Sequence, residues 1–455
     1  MRFRINSQNL EKALFYLLLF AIPFEIKKHL WSWGRFNVEW TSGFLWVSDL
    51  LIIGLLILWL VRSKFKFRLK PDLIEVCLLA FFIISGLSIF IASIKPIAIF
   101  QFVKLAEFIG LFFYIRYNFE KVFYFVPSLM TLVFSGFIQA FIAISQSVTQ
   151  GVLGLKYFGE PVFKSLDTIG VAVFYSEGVK FLRAYGTTPH PNVLAAFLFF
   201  GIFSFYWLYL TGYKETSEIW HKKIYEYGIL AVYAIMLLAF FSTFSRIIIG
   251  FWALGVTAHI VIILTYKKFG NFRKHAQTHI YQLVVVTGIV AGLFSLVYWP
   301  QLMSRINVSI EEEAITHRVR YNHVAGDISN DRPLLGIGLG QFVPEFMERE
   351  PNMHYNFYQP VHNIYLLILS ETGYFGFLFL AVFLFVGFKK FIRSLDFTKV
   401  YHYSFVIFVV TVLAFGIFDH FTWTLQMGRL MLWITLGFIS AIVLQNIRYK
   451  KRIKN

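Results

Sequence analysis

Long apolar runs separated by short charged stretches, with two much longer polar stretches among them, set the pattern of this chain. Twelve candidate spans lie near 11–26, 43–61, 73–94, 98–118, 122–147, 190–212, 226–244, 246–266, 281–299, 361–387, 403–419 and 428–447. A helix of roughly 20 apolar residues crosses the hydrocarbon core of a bilayer. The pattern therefore predicts an all-α polytopic membrane protein, a single integral membrane domain over 1–455 with about 12 transmembrane helices. The first run is short and is expected to tilt or bend near Pro23, and only the turn at Ser245-Arg246 divides the seventh from the eighth. The polar stretches near 148–189 and 300–360 are the only ones long enough to build a site, and the larger falls between the ninth and tenth spans.

Composition supports this class. The chain is 58% hydrophobic, 20% aromatic and only 15% charged, against about 25% charged in ordinary soluble domains. A net charge of +17 could suit nucleic acid, but Lys and Arg collecting in cytoplasmic loops explain it better, so no nucleic-acid partner is expected. The stretch RSKFKFRLK (62–70) carries five basic residues and sets the orientation. Both termini are expected in the cytoplasm, with 300–360 and the Arg246 turn outside. Cys77 is the one cysteine, which excludes a disulfide framework and a cysteine metal site. Pro23-Phe24-Glu25 offers no small-residue cleavage site, so the first run reads as a retained helix.

On the outer side, nucleotides and nucleotide sugars are not available as free substrates, so any donor must come from the membrane. His362-Asn363 stands where the large loop enters an apolar run. An imidazole of ordinary pKa near 6.5 can take a proton from a hydroxyl at neutral pH; the alternative is an interfacial histidine bonded to a loop carbonyl. Arg183, in FLRAYGTTPHPN, precedes His190 by seven residues, and Arg246 stands at the outer turn in STFSRIIIG. A guanidinium fork matches phosphate oxygens, although either arginine could instead snorkel to headgroups. Arg318 and Arg320 fall on a predicted amphipathic helix in the large loop, and Asp419 and His420 end the eleventh span on the outer side, where they join the site or cap a helix. Lys104 with Glu107, three apart, reads as a structural pair, and Glu371 as structural. Gly336-Ile-Gly-Leu-Gly340 is not GxGxxG and lacks a strand–helix setting. With no HExxH or clustered acidic motif, neither metal nor cofactor is expected.

Three of these elements resemble the O-antigen ligase and polymerase superfamily. They are His362, Asn363, nine residues, Gly373, two residues, Gly376; the approach DRPLLGIGLGQF; and the pair RAYGTTPHPN and TFSR. The resemblance covers roughly 180–380 closely, an O-antigen ligase-like catalytic region. It implies a GT-C type, metal-independent, inverting glycosyltransferase of the bacterial inner membrane. The donor would be an undecaprenyl-diphosphate-linked glycan and the acceptor a glycan or lipid A core. By the same resemblance His362 would be the catalytic base, Arg183, Arg246 and Arg318 would bind diphosphate, and His190, Asn363, Arg320, Asp419 and His420 would support them. Ligase and polymerase are not separated. The rivals are a flippase or transporter of the same lipid-linked glycan, expected to bury charge through the full membrane depth, and a peptidoglycan-type polymerase using Asp327 or Asp331.

Overall fold

The computed structural model describes residues 7–34, 39–64, 71–168, 170–211, 223–265, 270–306 and 313–454. Parts of the basic segments used for orientation (1–6, 65–70, 266–269) and residues 307–312 of the large loop lie outside the described residues. Each of the twelve predicted spans overlaps a helix. In chain order these are α1 (Ser7–Ala21), α2 (Val47–Ser63), α3 (Leu73–Leu87), α4 (Lys95–Asn118), α5 (Phe125–Thr149), α6 (Pro191–Thr211), α7 (Lys223–Ser242), α8 (Arg246–Thr265) and α9 (Gly270–Val297), then, after the large loop, α13 (Ile364–Ile392), α14 (Val400–Phe418) and α16 (Gln426–Lys454). Among the described residues, nine helices are long and apolar enough to cross a membrane. The large loop adds α10 (Trp299–Ile306), α11 (Glu313–Asp331) and α12 (Phe342–Arg349), and the one-turn α15 (Phe421–Thr424) links α14 to α16.

Two short antiparallel hairpins were not expected from the pattern. One joins β1 (Lys27–Ser32) to β2 (Ser42–Trp46), the other β3 (Val173–Ser176) to β4 (Val179–Leu182). As a result the second span begins at Val47, where the apolar run had suggested 43.

Apolar faces decide which helices are central. Helix α6 is apolar all round and almost wholly buried, whereas α9 is mostly unburied. A helix apolar on every side can lie in the middle of a bundle or against lipid; α6 takes the first place and α9 the second. The N-terminus of α6, directly after His190, is therefore held in the centre of the protein.

Charge clamps one end of the bundle. Arg62 forks onto buried Glu11, with Nε–Oε1 at 2.6 Å and Nη2–Oε2 at 3.0 Å. Arg116 bonds Glu75 at 2.7 Å and Asp72 at 3.1 Å, and Lys390 reaches the same Asp72 at 3.2 Å. Asp72 also caps α3, accepting from the amides of Ile74 and Glu75. These contacts tie α1 to α2 and α3 to α4 and α13. The named site candidates all lie toward the opposite end. Between the two, Lys104 bonds both Glu107 and Asp49, so the expected pair is a triad.

The feature that shapes the site end is a break in α13. At Gly373 the backbone turns to φ 65°, ψ −174°, a region essentially closed to side chains. The break strands carbonyls above it and amides below it. Residues 333–338 fill the gap: the amides of Ile337 and Gly338 donate to the carbonyls of Ser370 and Glu371 at 3.0 and 2.9 Å, and those of Tyr374 and Phe375 donate to Pro333 and Leu334 at 2.7 and 3.4 Å. Contact is so close that a Cβ on Gly373 would fall 2.3 Å from the Leu334 carbonyl oxygen, and one on Gly336 2.4 Å from the Glu371 carbonyl carbon. Gln341 fastens the same loop to the start of α4, its Oε1 accepting from Ser93 Oγ and the Ile94 amide. The glycine patterns of the large loop and of α13 are two halves of one joint.

Gly373→Ala is expected to lower the thermal stability of the purified protein by about 1–3 kcal/mol or more, strain plus collision. Gly292→Ala on α9, where a Cβ meets nothing within 4 Å, is the control and should leave the melting temperature unchanged. A matched pair of melting curves checks this.

Candidate functional site

The segment RAYGTTPHPN is held by two buried amides of α5. Gln146 accepts from the amides of Tyr185 and Gly186 at 3.0 and 2.8 Å, and Gln139 accepts from Thr187 N at 3.0 Å and donates to Thr187 Oγ1 at 2.8 Å. Anchored in this way, Arg183 points back across the bundle. Its Nε donates to the Thr243 carbonyl at 2.8 Å and its Nη2 to Asn192 Oδ1 at 2.6 Å. Ser245 Oγ donates to the same Asn192 oxygen at 3.1 Å, and Asn192 Nδ2 donates to Asp419 Oδ2 at 3.0 Å. Only this amide orientation serves all three partners. Asn192 thus joins the first arginine element, the TFSR turn and the end of α14.

Beyond Asp419 stands His362. Ligand atoms of His362, Asp419 and His420 all lie within 4.8 Å of one another. The His362 ring meets His420 edge-on at 4.8 Å and stacks near-parallel on Tyr321 of α11 at 5.7 Å. Asn363 caps α13, accepting from the amides of Tyr365 and Leu366 at 3.0 and 3.2 Å, so it fixes where the helix starts and with it the histidine before it. His362 Nδ1 has no hydrogen-bond partner among the described residues.

Electrostatics keep this imidazole neutral. Burial pushes His362 down to about 3, repulsion from His420 and Arg318 adds to the shift, and Asp419 opposes it. His190, buried beside Arg183, is likewise pushed down to about 3; its Nδ1 accepts from the Asn192 amide at 3.1 Å. Burial alone would raise Asp419, but neighbouring imidazoles and the Asn192 bond hold it below the usual carboxylate range. Burial, then Arg305 and Arg246, pull Arg183 down to about 9, so it remains a cation at neutral pH. An arriving anion would relieve this crowding of guanidinium groups.

The structure brings together Arg183, His190, His362, Asp419 and His420, with Arg318 near enough to repel the histidines and Arg246 near enough to repel Arg183. It does not bring in Arg320, which is exposed and paired with Glu350. Two further residues belong to the constellation. Asn192 ends the His-Pro-Asn element, and its place directly after a histidine and a proline at a helix start was the available signal. Arg305 on α10 stands beside Arg246, whose Nη1 donates to the Arg305 carbonyl at 3.1 Å, and lies over the Phe174 ring at 5.4 Å. Only the helical spacing of that short amphipathic segment could have drawn attention to it. Arg246 and Arg305 border a cavity of about 370 Å³ whose walls are otherwise apolar, among them Phe241, Phe294 and Leu302.

Residues 231–381, which include Arg246, Arg318 and His362, match the O-antigen ligase family model, which supports the resemblance to the O-antigen ligase/polymerase superfamily. No curated protein matches the chain.

His362, Asp419 and His420 are the described set that could ligate a cation. Asp419 and His420 already have other hydrogen-bond partners. Asp419 gives Oδ2 to Asn192 and Oδ1 to the His420 amide at 2.8 Å, and His420 Nδ1 is bonded to Thr424 Oγ1 at 2.6 Å. The purified protein is therefore expected to carry no stoichiometric zinc or manganese by elemental analysis. One metal per chain that disappears in His420→Ala would make the cluster a cation site.

Proposed function

We propose that the protein transfers a glycan from an undecaprenyl-diphosphate carrier to an acceptor hydroxyl on the outer face of the bacterial inner membrane. Both termini lie in the cytoplasm, and the reaction inverts the anomeric centre without a metal. The observation that carries this reading is that His362 stands within 4.8 Å of Asp419, from which hydrogen bonds run through Asn192 to Arg183. It ties a neutral proton acceptor to a cation suited to a phosphate.

The chemistry follows from the groups. His362 takes the proton of the acceptor hydroxyl as its oxygen bonds to the anomeric carbon. The bond from that carbon to the diphosphate oxygen breaks, and its electron pair leaves with the diphosphate. Diphosphate is already a competent leaving group and needs its developing charge offset rather than a strong acid. Arg183 and Arg246, helped by Arg318, supply that in a site poor in water. Asp419 stabilises the imidazolium as it forms. The apolar cavity beside Arg246 suits the first isoprene units of the carrier. Residues 180–380 form the catalytic region. The acceptor is a lipid A core, making the protein a ligase, or a second lipid-linked glycan, making it a polymerase.

His362→Ala is expected to reduce transfer by about 10²–10⁴-fold while the protein still inserts and purifies in normal yield. Undiminished transfer by the purified variant, with lipid-linked donor and acceptor supplied, would end the base assignment. The pH profile tests the same group separately. Because burial lowers the pKa of His362, the neutral, proton-accepting form persists well below pH 6.5. The acid limb of kcat/KM should therefore lie clearly below the ordinary histidine range, with a plateau kept through about pH 5. A limb centred near 6.5 would mean that this imidazole is not the base.

A further inference from the structure

Asp419 and His420 are consecutive, and their side chains divide the surroundings of His362. Asp419 turns to Asn192 and, through it, to Arg183. His420 turns the other way, with Thr424 on its Nδ1 and the ring of Trp40 edge-on at 5.1 Å. On that second side lies a cleft reached past Pro360, Trp40 and Thr424. Its lining differs from that of the cavity beside Arg246. That cavity is bordered by two arginines and phenylalanine rings. The cleft is lined by the indoles of Trp40 and Trp423, by Glu39 and Glu371, and by Gln101 and Arg429, whose Nη2 donates to Gln101 Oε1 at 2.7 Å.

We propose that this tryptophan-lined cleft is the acceptor subsite and that it takes the hydroxyl-bearing face of one neutral sugar ring; the proposal rests on the transferase reading above. Three arguments carry it. Indoles offer flat apolar faces to the C–H side of a pyranose, while carboxylate and amide groups bond its hydroxyls. Arg429 in the cleft is already bonded to the Trp423 carbonyl and Gln101, so the cleft suits a neutral sugar better than a diphosphate, which the arginines of the other cavity favour. Displacement with inversion needs the incoming oxygen opposite the departing one, and the cleft meets the histidine pair on the His420 side, where its residues Trp40 and Thr424 contact that ring. The enclosed part, about 70 Å³, holds a few water-sized groups, which fits one ring entering by an edge and not a length of glycan.

The test uses the full-length protein in nanodiscs with a radiolabelled undecaprenyl-diphosphate glycan as donor. Lipid A core and unlabelled lipid-linked glycan are titrated separately as acceptors, and inorganic pyrophosphate serves as competitor for the donor headgroup. Trp40→Ala and Gln101→Ala should each raise the acceptor KM by about ten-fold or more, with kcat changed far less. Trp40→Phe, which keeps an aromatic face, should recover most of the loss, and the pyrophosphate Ki should stay as in the parent protein. Gln101→Ala keeps the experiment decisive if Trp40→Ala fails to fold. An unaltered acceptor KM in the variants, or a pyrophosphate Ki that weakens in step with it, overturns the subsite. If transfer is lost in His362→Ala while both cleft variants keep the parental acceptor KM, the transferase reading stands and this proposal alone falls. Absence of transfer by the parent protein with either acceptor would remove both.

Discussion

The interruption of α13 at Gly373 is the constraint on which the site end depends. A continuous helix would satisfy its own amides and carbonyls and offer the large loop nothing to hold. Breaking it exposes hydrogen-bonding groups in the low-dielectric interior, where leaving them unpaired costs several kcal/mol. The turn-rich segment 333–338 supplies the missing partners. The upper half of α13, from Ile364 to Thr372, becomes a short helix fixed at one end by this joint and at the other by the Asn363 cap. His362 stands directly before that cap. Its position is thus set by backbone bonds, which are less compliant than side-chain packing.

Around this fixed point the remaining groups are sorted by charge. A buried amide, Asn192, accepts from Arg183 and donates to Asp419, which lets cation and carboxylate sit close without pairing directly. Direct pairing would have spent the guanidinium on an internal partner. Held one residue apart, Arg183 keeps part of its donor fork for something else. The clamps at the opposite end do pair arginine with carboxylate directly, at Arg62–Glu11 and Arg116–Glu75. The same residue types are thus used for cohesion at one end of the bundle and left under-neutralised at the other.

Much of this was legible in the sequence, because twelve apolar runs leave a membrane helix few alternatives, and each run overlaps a helix. His362, Arg183 and Arg246 were visible as charged or titratable groups at apolar boundaries, where polar side chains are costly without a reason. The joint at Gly373 was visible only as a spacing of glycines; that the two glycine patterns close on each other is a tertiary fact, more than thirty residues apart along the chain. Asn192 was hidden by its ordinariness, since asparagine beside a helix start is common. Arg305 was hidden by a short helix in a long loop. The hairpins escaped notice because strands of four to six residues leave too little alternation to read.

The gathered arginines also bear on turnover. Under the proposed reaction the diphosphate is a diester while it carries the glycan and gains a further negative oxygen when the glycan leaves. Cations arranged to favour that change hold the spent carrier more tightly than the loaded one, and the apolar cavity beside Arg246 and Arg305 retains its tail. In that reaction the groups that favour transfer would also slow release of the spent lipid.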